Sequence, residues 1–158
     1  MASNGKFAET AVTAVERQRV MGLLAKATRA ELQSAFDALG DEQPGAHPVR
    51  GPETGLVMVR GRIGGGGAPF NLGEATVSRA SIRLEDGTVG HGQALGTDGD
   101  KVRLAAIFDA LLQQPARRSH VDLLLDAIAA RIAEEDAAKA RQTAATRVDF
   151  FTMVRGED

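Results

Sequence analysis

The chain has 158 residues, no cysteine and a formal net charge of −2. This length suits one domain over residues 1–158, and the absence of cysteine excludes disulfides, thiolate metal sites and cysteine nucleophiles from this chain. The near-neutral charge argues against general nucleic-acid binding, which needs a basic surface. No apolar run approaches the roughly 18–20 residues of a membrane span, and the N-terminus lacks an apolar signal segment. We therefore predict a cytoplasmic protein that contacts neither nucleic acid nor membrane.

Two helices are predicted at the start of the chain, after about eight residues (1–8) that we expect to be disordered. The first runs from about Glu9 to Ala27, because its apolar residues recur at helical spacing. Thr28 and Glu31 have the spacing of a capping box, which predicts the start of the second helix. Gly40 is the expected C-cap of that helix.

The middle of the chain is predicted to form strands. The proline-rich segment 41–52 is interpreted as a loop, and residues 54–63 as a strand that the glycines of 64–67 interrupt. The segment 74–84 alternates apolar and polar residues, and residues 89–96 form the returning strand, weakened by two glycines. The Asp86-Gly87 pair between these two strands favours a type I′ hairpin turn. An antiparallel sheet is therefore expected.

Two further helices are predicted after the strands. Leu104, Ile107, Phe108 and Leu111 have helical spacing from about residue 98, and Pro115 ends that helix. A further apolar stripe stops at Ile132, although helical composition continues beyond it. The fold class is therefore predicted to be α+β, with a central antiparallel sheet packed against N-terminal and C-terminal helices.

An apolar segment closes the chain after a stretch, 133–147, that lacks large apolar residues. Five of its side chains are large and apolar: Val148, Phe150, Phe151, Met153 and Val154. Such a patch on a soluble protein marks an interaction site. We interpret residues 147–158 as an extended tail that docks on a partner; the competing interpretation is that the tail folds back into the chain's own core.

Arginines and glycines of the strand region are the candidates for binding an anion. Successive backbone N–H groups in a loop containing Gly64 and Gly65 would approach a phosphate, although the lysine and Ser/Thr of a P-loop are missing. Arg60 and Arg62 are expected on one strand face, about 6–7 Å apart. Arg79 and Arg83 are expected to share another face, about 13 Å apart. The alternatives are a flexible hairpin loop and solvated strand faces.

No self-sufficient active site is evident in the sequence. His47, His91 and His120 fall in different elements, so no metal site is predicted. His91, between two glycines, is the histidine best placed for a cleft. No catalytic residue is assigned.

Three stretches carry a resemblance to a known family. They are "PETGLVMVRGRIGGGGAPFNLGEATVSRASIRLEDGTVGHGQALGTD", "KVRLAAIFDALLQQ" and "RVDFFTMVRG". Together they resemble the G subunit of the bacterial phosphonate carbon–phosphorus lyase system, along most of the chain from about Met21. The run of four glycines departs from the family pattern, in which a polar residue more often interrupts the loop.

The resemblance implies a function for the complex rather than for single residues here. It implies partners of three types, H, I and J, present in pairs, with an L subunit in the activation step. It also implies MgATP as a co-substrate, whose adenine is displaced by an alkylphosphonate to give a ribose 1-alkylphosphonate 5-triphosphate. The resemblance further implies that nucleosidase activity belongs to the I subunit and radical chemistry to the J subunit. The G subunit is then accessory and needs no cofactor of its own; the alternative is a free-standing anion-binding or regulatory domain.

Overall fold

The structure is a computed structural model that describes residues 12–62 and 66–145. Its elements, in chain order, are α1 (Ala14–Lys26), α2 (Arg29–Asp37), β1 (Ala46–Gly61), β2 (Phe70–Leu84), β3 (Val89–Leu95), α3 (Gly99–Leu112) and α4 (Arg118–Ala145), with short 3-10 helices at Gly40–Glu42 and Pro115–Arg117. The strands form an antiparallel sheet in the order β1-β2-β3. The predicted α+β fold, with an antiparallel sheet in the middle of the chain packed against N-terminal and C-terminal helices, is therefore confirmed. Residues 1–11 and the predicted tail lie outside the described residues.

The capping box predicted before α2 is present. The backbone N–H of Glu31 donates to the Thr28 hydroxyl at 3.1 Å, and the Thr28 N–H donates to the Glu31 carboxylate at 2.7 Å. The end of α2 was predicted less well. The helix ends at Asp37, and Gly40 (φ +52°) opens the short 3-10 helix that follows instead of capping α2.

The prediction that residues 41–52 form a loop is wrong for its second half. Strand β1 begins at Ala46 and includes Pro48 and Pro52. Both prolines are tolerated because β1 is an edge strand, where a missing N–H breaks no ladder on the open side. The pairing with β2 is also irregular on each side of Arg50, and Gly51 takes a positive φ of +70° there.

The β2–β3 hairpin is present as predicted, but its turn type differs. The Gly87 N–H donates to the Leu84 carbonyl at 3.0 Å, and the Leu84 N–H donates to Thr88 at 2.9 Å. Only Gly87 has a positive φ (+90°), whereas a type I′ turn needs one at both central residues. The turn is therefore a three-residue loop that ends in a glycine bulge. The Thr88 N–H donates to the Asp86 carboxylate and lowers the Asp86 pKa.

Helix α3 is the centre of the core. Ten of its fourteen residues are buried, so it is enclosed all round instead of having the single apolar face expected from the sequence. Its backbone packs directly on β3. A Cβ on Gly90 would overlap the Ala106 carbonyl and lie 2.7 Å from the Ala110 nitrogen, and Gly92 is equally confined. The two glycines therefore allow helix–strand contact, where the sequence suggested only a weakened strand.

Helix α4 changes character along its length, as predicted. Its buried residues are Val121, Leu124, Leu125 and Ile128. Ile132 packs against the core only partly, and the following residues to Ala145 are almost all exposed while remaining helical. Among the helices that the structure describes, none is both long and apolar enough to cross a membrane.

Strands β1 and β2 continue past the end of β3. Strand β3 pairs only with residues 77–83 of β2. Residues 56–61 of β1 and 70–76 of β2 therefore pair with each other without a third strand in the described part of the chain. We call this two-stranded extension the arm, and the rest of the described chain the body.

Candidate functional site

One face of the sheet in the body is open to solvent, and we call it the outer face. The predicted alternation on β2 is confirmed: Ala80, Ile82 and Leu84 are buried against the helices, whereas Arg79 and Arg83 are exposed. The cross-strand register assembles polar residues on this face from all three strands: His47, Arg50, Glu53, Arg79, Ser81, Arg83, His91 and Gln93. The outer face is thus the most polar continuous surface that the sheet presents.

Arg79 is partly neutralised by a neighbour on β1. Its guanidinium donates to the Glu53 carboxylate, which also forms a 2.9 Å ion pair with Arg50. The hydrogen bond from Arg79 lowers the pKa of Glu53. Two arginines therefore share one carboxylate, and this cluster keeps one positive charge toward solvent.

Arg83 is more available to an anion than Arg79. It is exposed, lies opposite His47 on one side and Val89 on the other, and forms no salt bridge within the described chain. Next to it, the Ser81 hydroxyl and the His91 Nδ1 are 2.8 Å apart, within hydrogen-bonding distance. Guanidinium, hydroxyl and imidazole groups side by side suit the recognition of phosphate oxygens.

His91 also lines a groove between α1 and β3, in agreement with the predicted cleft. The groove has a volume of about 880 Å³. Its apolar part includes Met21 and Ala25 from α1, and its polar rim includes Gln18, Gln93 and His91. A groove of this size, with few polar groups on an apolar lining, has the dimensions of a ligand site.

An ion pair between Arg17, which also lines this groove, and the buried Asp109 was not identified in the sequence analysis. Asp109 of α3 is fully buried and accepts two hydrogen bonds from the Arg17 guanidinium, at 2.9 and 2.6 Å. It also accepts one from the backbone N–H of His91 at 2.8 Å. The bond to Asp109 raises the Arg17 pKa. The available signal was the aspartate inside the otherwise apolar run 104–112.

The structure does not bring the four candidate arginines together. Arg60 and Arg62 lie at the far end of the arm, and Arg62 is one residue beyond the end of β1, so the expected shared strand face does not include it. Arg60 is seven residues along β1 from Glu53, the partner of Arg79, or about 23 Å. One triphosphate therefore cannot contact both pairs.

The remaining sequence candidates give no further geometry. Gly64 and Gly65 lie outside the described residues, as do Val148, Phe150, Phe151, Met153 and Val154. Over residues 12–62 and 66–145, no three histidine, aspartate or glutamate side chains converge as ligands for a metal ion.

Comparison with known proteins agrees with the resemblance seen in the sequence. The family model for phosphonate metabolism protein PhnG matches residues 15–156. A curated relative from Rhizobium meliloti (strain 1021), named alpha-D-ribose 1-methylphosphonate 5-triphosphate synthase subunit PhnG, is 66% identical over 143 residues, which cover 90% of this chain and 91% of the relative. The chain therefore belongs to the PhnG family of phosphonate metabolism proteins.

Proposed function

We propose that this chain is a subunit of an alkylphosphonate-activating synthase that uses MgATP. In that reaction the phosphonate takes the place of adenine on the ribose, giving a ribose 1-alkylphosphonate 5-triphosphate. The single observation that carries this proposal is the 66% identity to a relative whose name is that of a ribose 1-methylphosphonate 5-triphosphate synthase subunit. The proposed partners are the H-, I- and J-type subunits, with an L-type subunit during activation, and the proposed compartment is the cytoplasm.

The role that we assign to this chain is accessory. Strongly perturbed pKa values cluster at catalytic sites in many enzymes. Several of the shifted groups here hold elements together: Arg131 of α4 binds Glu31 of α2, and Arg118 of α4 binds Glu16 of α1. These contacts support a scaffold that positions other subunits.

An omission experiment tests the proposal. The H-, I- and L-type subunits from the same source are incubated with MgATP and methylphosphonate, with and without this chain, and adenine release and the triphosphate product are measured. We expect product only in the complete mixture. Equal product without the chain would contradict the proposal. If the isolated chain binds ATP as a monomer and does not associate with those subunits, the free-standing anion-binding domain is correct instead.

A second candidate role is direct contact with substrate through the outer face. The exposed Arg83, without a salt bridge in the described part of the chain, beside Ser81 and His91, favours it. In the assembled complex, Arg83→Ala should then raise the KM for ATP or phosphonate about 10-fold, and the difference from wild type should shrink as salt screens the charge. Arg141→Ala, at the polar end of α4, is the matched control. Unchanged kinetics of Arg83→Ala with intact assembly would assign Arg83 to the solvated surface. The same assay applied to Arg60, Arg62 and Arg79 ranks the other candidates.

We also propose that residues 147–158 anchor the chain to a partner, with the I-type subunit as the first to test. Aromatic anchors often dominate an interface, and their truncation costs about 2 kcal/mol or more. Replacing Phe150 and Phe151 together by alanine should weaken assembly at least about 30-fold and leave the melting temperature of the isolated chain unchanged. Normal assembly of a destabilised variant would instead place the tail in the chain's own core.

A further inference from the structure

The arm exposes apolar side chains that the described part of the protein leaves uncovered. Six large apolar residues of the arm are 40–63% exposed: Leu56, Val57, Met58, Val59, Phe70 and Leu72. The body, although much larger, has four such residues, and they are scattered among its elements. A contiguous exposed apolar patch on a soluble protein marks an interaction surface.

The apolar residues occupy both faces of the arm. Strand alternation puts Leu56 and Met58 on one face and Val57 and Val59 on the other. Their cross-strand partners, in the same order, are Thr76, Glu74, Ala75 and Gly73. These partners are small or polar, so neither face is shielded from within the arm. A partner that packs on one side only would leave the other side exposed.

Both edges of the arm are open as well. Within the described chain, strand β1 is an edge of the sheet over its full length, and residues 70–75 of β2 have no backbone partner on the side away from β1, whereas the Thr76 carbonyl accepts a hydrogen bond from the Gly96 N–H at 2.9 Å. A two-stranded ribbon is marginally stable in water, and open edges present unpaired N–H and C=O groups to other chains. The arm therefore has every feature of an element completed by a partner.

Charge restricts the kind of partner. The charged residues of the arm and its adjoining segments, 56–62 and 66–76, are Arg60, Arg62 and Glu74, which gives a net charge of +1. Both arginines lie toward the end of the arm that points away from the body. Two copies of the arm packed on each other would bring like net charges together, and a symmetric contact through one face would leave the second face uncovered.

We propose that the arm inserts into a cleft of a different subunit of the synthase. The cleft has two apolar walls, one for Leu56 and Met58 and one for Val57 and Val59, and carries aspartate or glutamate opposite Arg60 and Arg62. This inference rests on the proposed function, because that function supplies the other subunits. Insertion between two walls explains why both faces are apolar, which docking of one face does not.

Paired substitutions on the full-length chain test each face separately. One variant carries Leu56→Ser and Met58→Ser, and the other carries Val57→Ser and Val59→Ser. Val15→Ser on α1, where Val15 is 78% exposed, is the matched control. Binding to the defined H-, I- and J-type subunits is measured by titration, and circular dichroism and thermal melting check the fold. We expect each double substitution to weaken binding to the same subunit at least about 10-fold. The Val15→Ser control should change the affinity for that subunit less than 2-fold.

The charge of the arm is tested with a third variant, Arg60→Glu with Arg62→Glu. It should weaken the same interaction, with a smaller loss at high salt than at low salt. A loss from only one apolar pair would overturn the two-walled cleft, and no loss from either pair would overturn docking by the arm. Loss of a homodimer, seen by sedimentation of the isolated variants, would show a second copy as the occupant. If the wild-type chain binds none of the subunits, the proposed function itself fails, which distinguishes that outcome from failure of the arm alone.

Discussion

The body and the arm use the same two strands in opposite ways. In the body, β2 lies between β1 and β3 and packs one face on α3, so that alternate residues are buried. In the arm, the described residues provide the same two strands with no third strand and no covering helix, and the apolar residues of the arm are exposed on both faces. Strand-forming residues therefore serve folding in one region and, as we propose, assembly in the other. The difference lies in what covers the strand.

The largest expected effect is the replacement of a body glycine. Gly90→Ala should destabilise the protein by at least about 3 kcal/mol, because the added Cβ meets the backbone of α3, which cannot move aside without separating helix and sheet. Gly73→Ala in the arm is the matched control, since nothing lies within 4 Å of the Cβ that it would gain. Urea unfolding of both variants measures the contrast. Equal losses would remove the distinction between the two regions.

Loss of the buried carboxylate should rank next. Asp109→Asn leaves a bidentate arginine with one mismatched partner and should cost about 3 kcal/mol, or about 6–12 °C in melting temperature. Glu53→Gln on the outer face removes an exposed charge with two arginine partners and should leave the melting temperature unchanged within error. A similar fall in melting temperature for Glu53→Gln would mean that the outer-face cluster contributes to the stability of the fold.

Amide hydrogen exchange compares the two regions without mutation. In the isolated chain, arm amides at 56–59 should exchange at least about 100-fold faster than those of β2 at 79–83, because the arm can open without unfolding the core. On assembly, the arm amides should become protected. Slow exchange of the arm in the isolated chain would show that it is stable without a partner.

The smallest expected effect is the loss of a pH-dependent stabilisation that Glu31 provides between helices of the body. The hydrogen bond from Arg131 lowers the pKa of Glu31. Because the folded pKa is the lower one, the stabilisation is present above the ordinary glutamate value of about 4.3 and is lost as pH falls through the folded pKa. Glu31→Gln retains the capping box, since glutamine also serves at that position. The variant should melt about 2–4 °C lower at pH 7, and this difference in melting temperature should narrow as the pH falls through the folded pKa of Glu31. A difference independent of pH would point to another cause.

Local patterns in the sequence determined most of the elements. The capping box at Thr28, the stop at Pro115 and the alternation through Ala80, Ile82 and Leu84 depend on neighbouring residues alone, and each was predicted correctly. The family could also be assigned from short stretches. The outer-face positions of Arg79 and Arg83 followed from strand alternation, so that part of the candidate site was predictable as well.

Tertiary structure alone decided the features that depend on distant partners. Residues 46–52 form a strand because β2 pairs with them despite two prolines, and local composition cannot reveal a partner about 30 residues away. The pairing of Asp109 with Arg17 joins residues 92 apart. The exposure of the arm depends on where β3 ends, at Leu95, opposite Val77. In each case the feature is stabilised by contacts between segments far apart in the chain. The propensities of neighbouring residues do not encode these contacts.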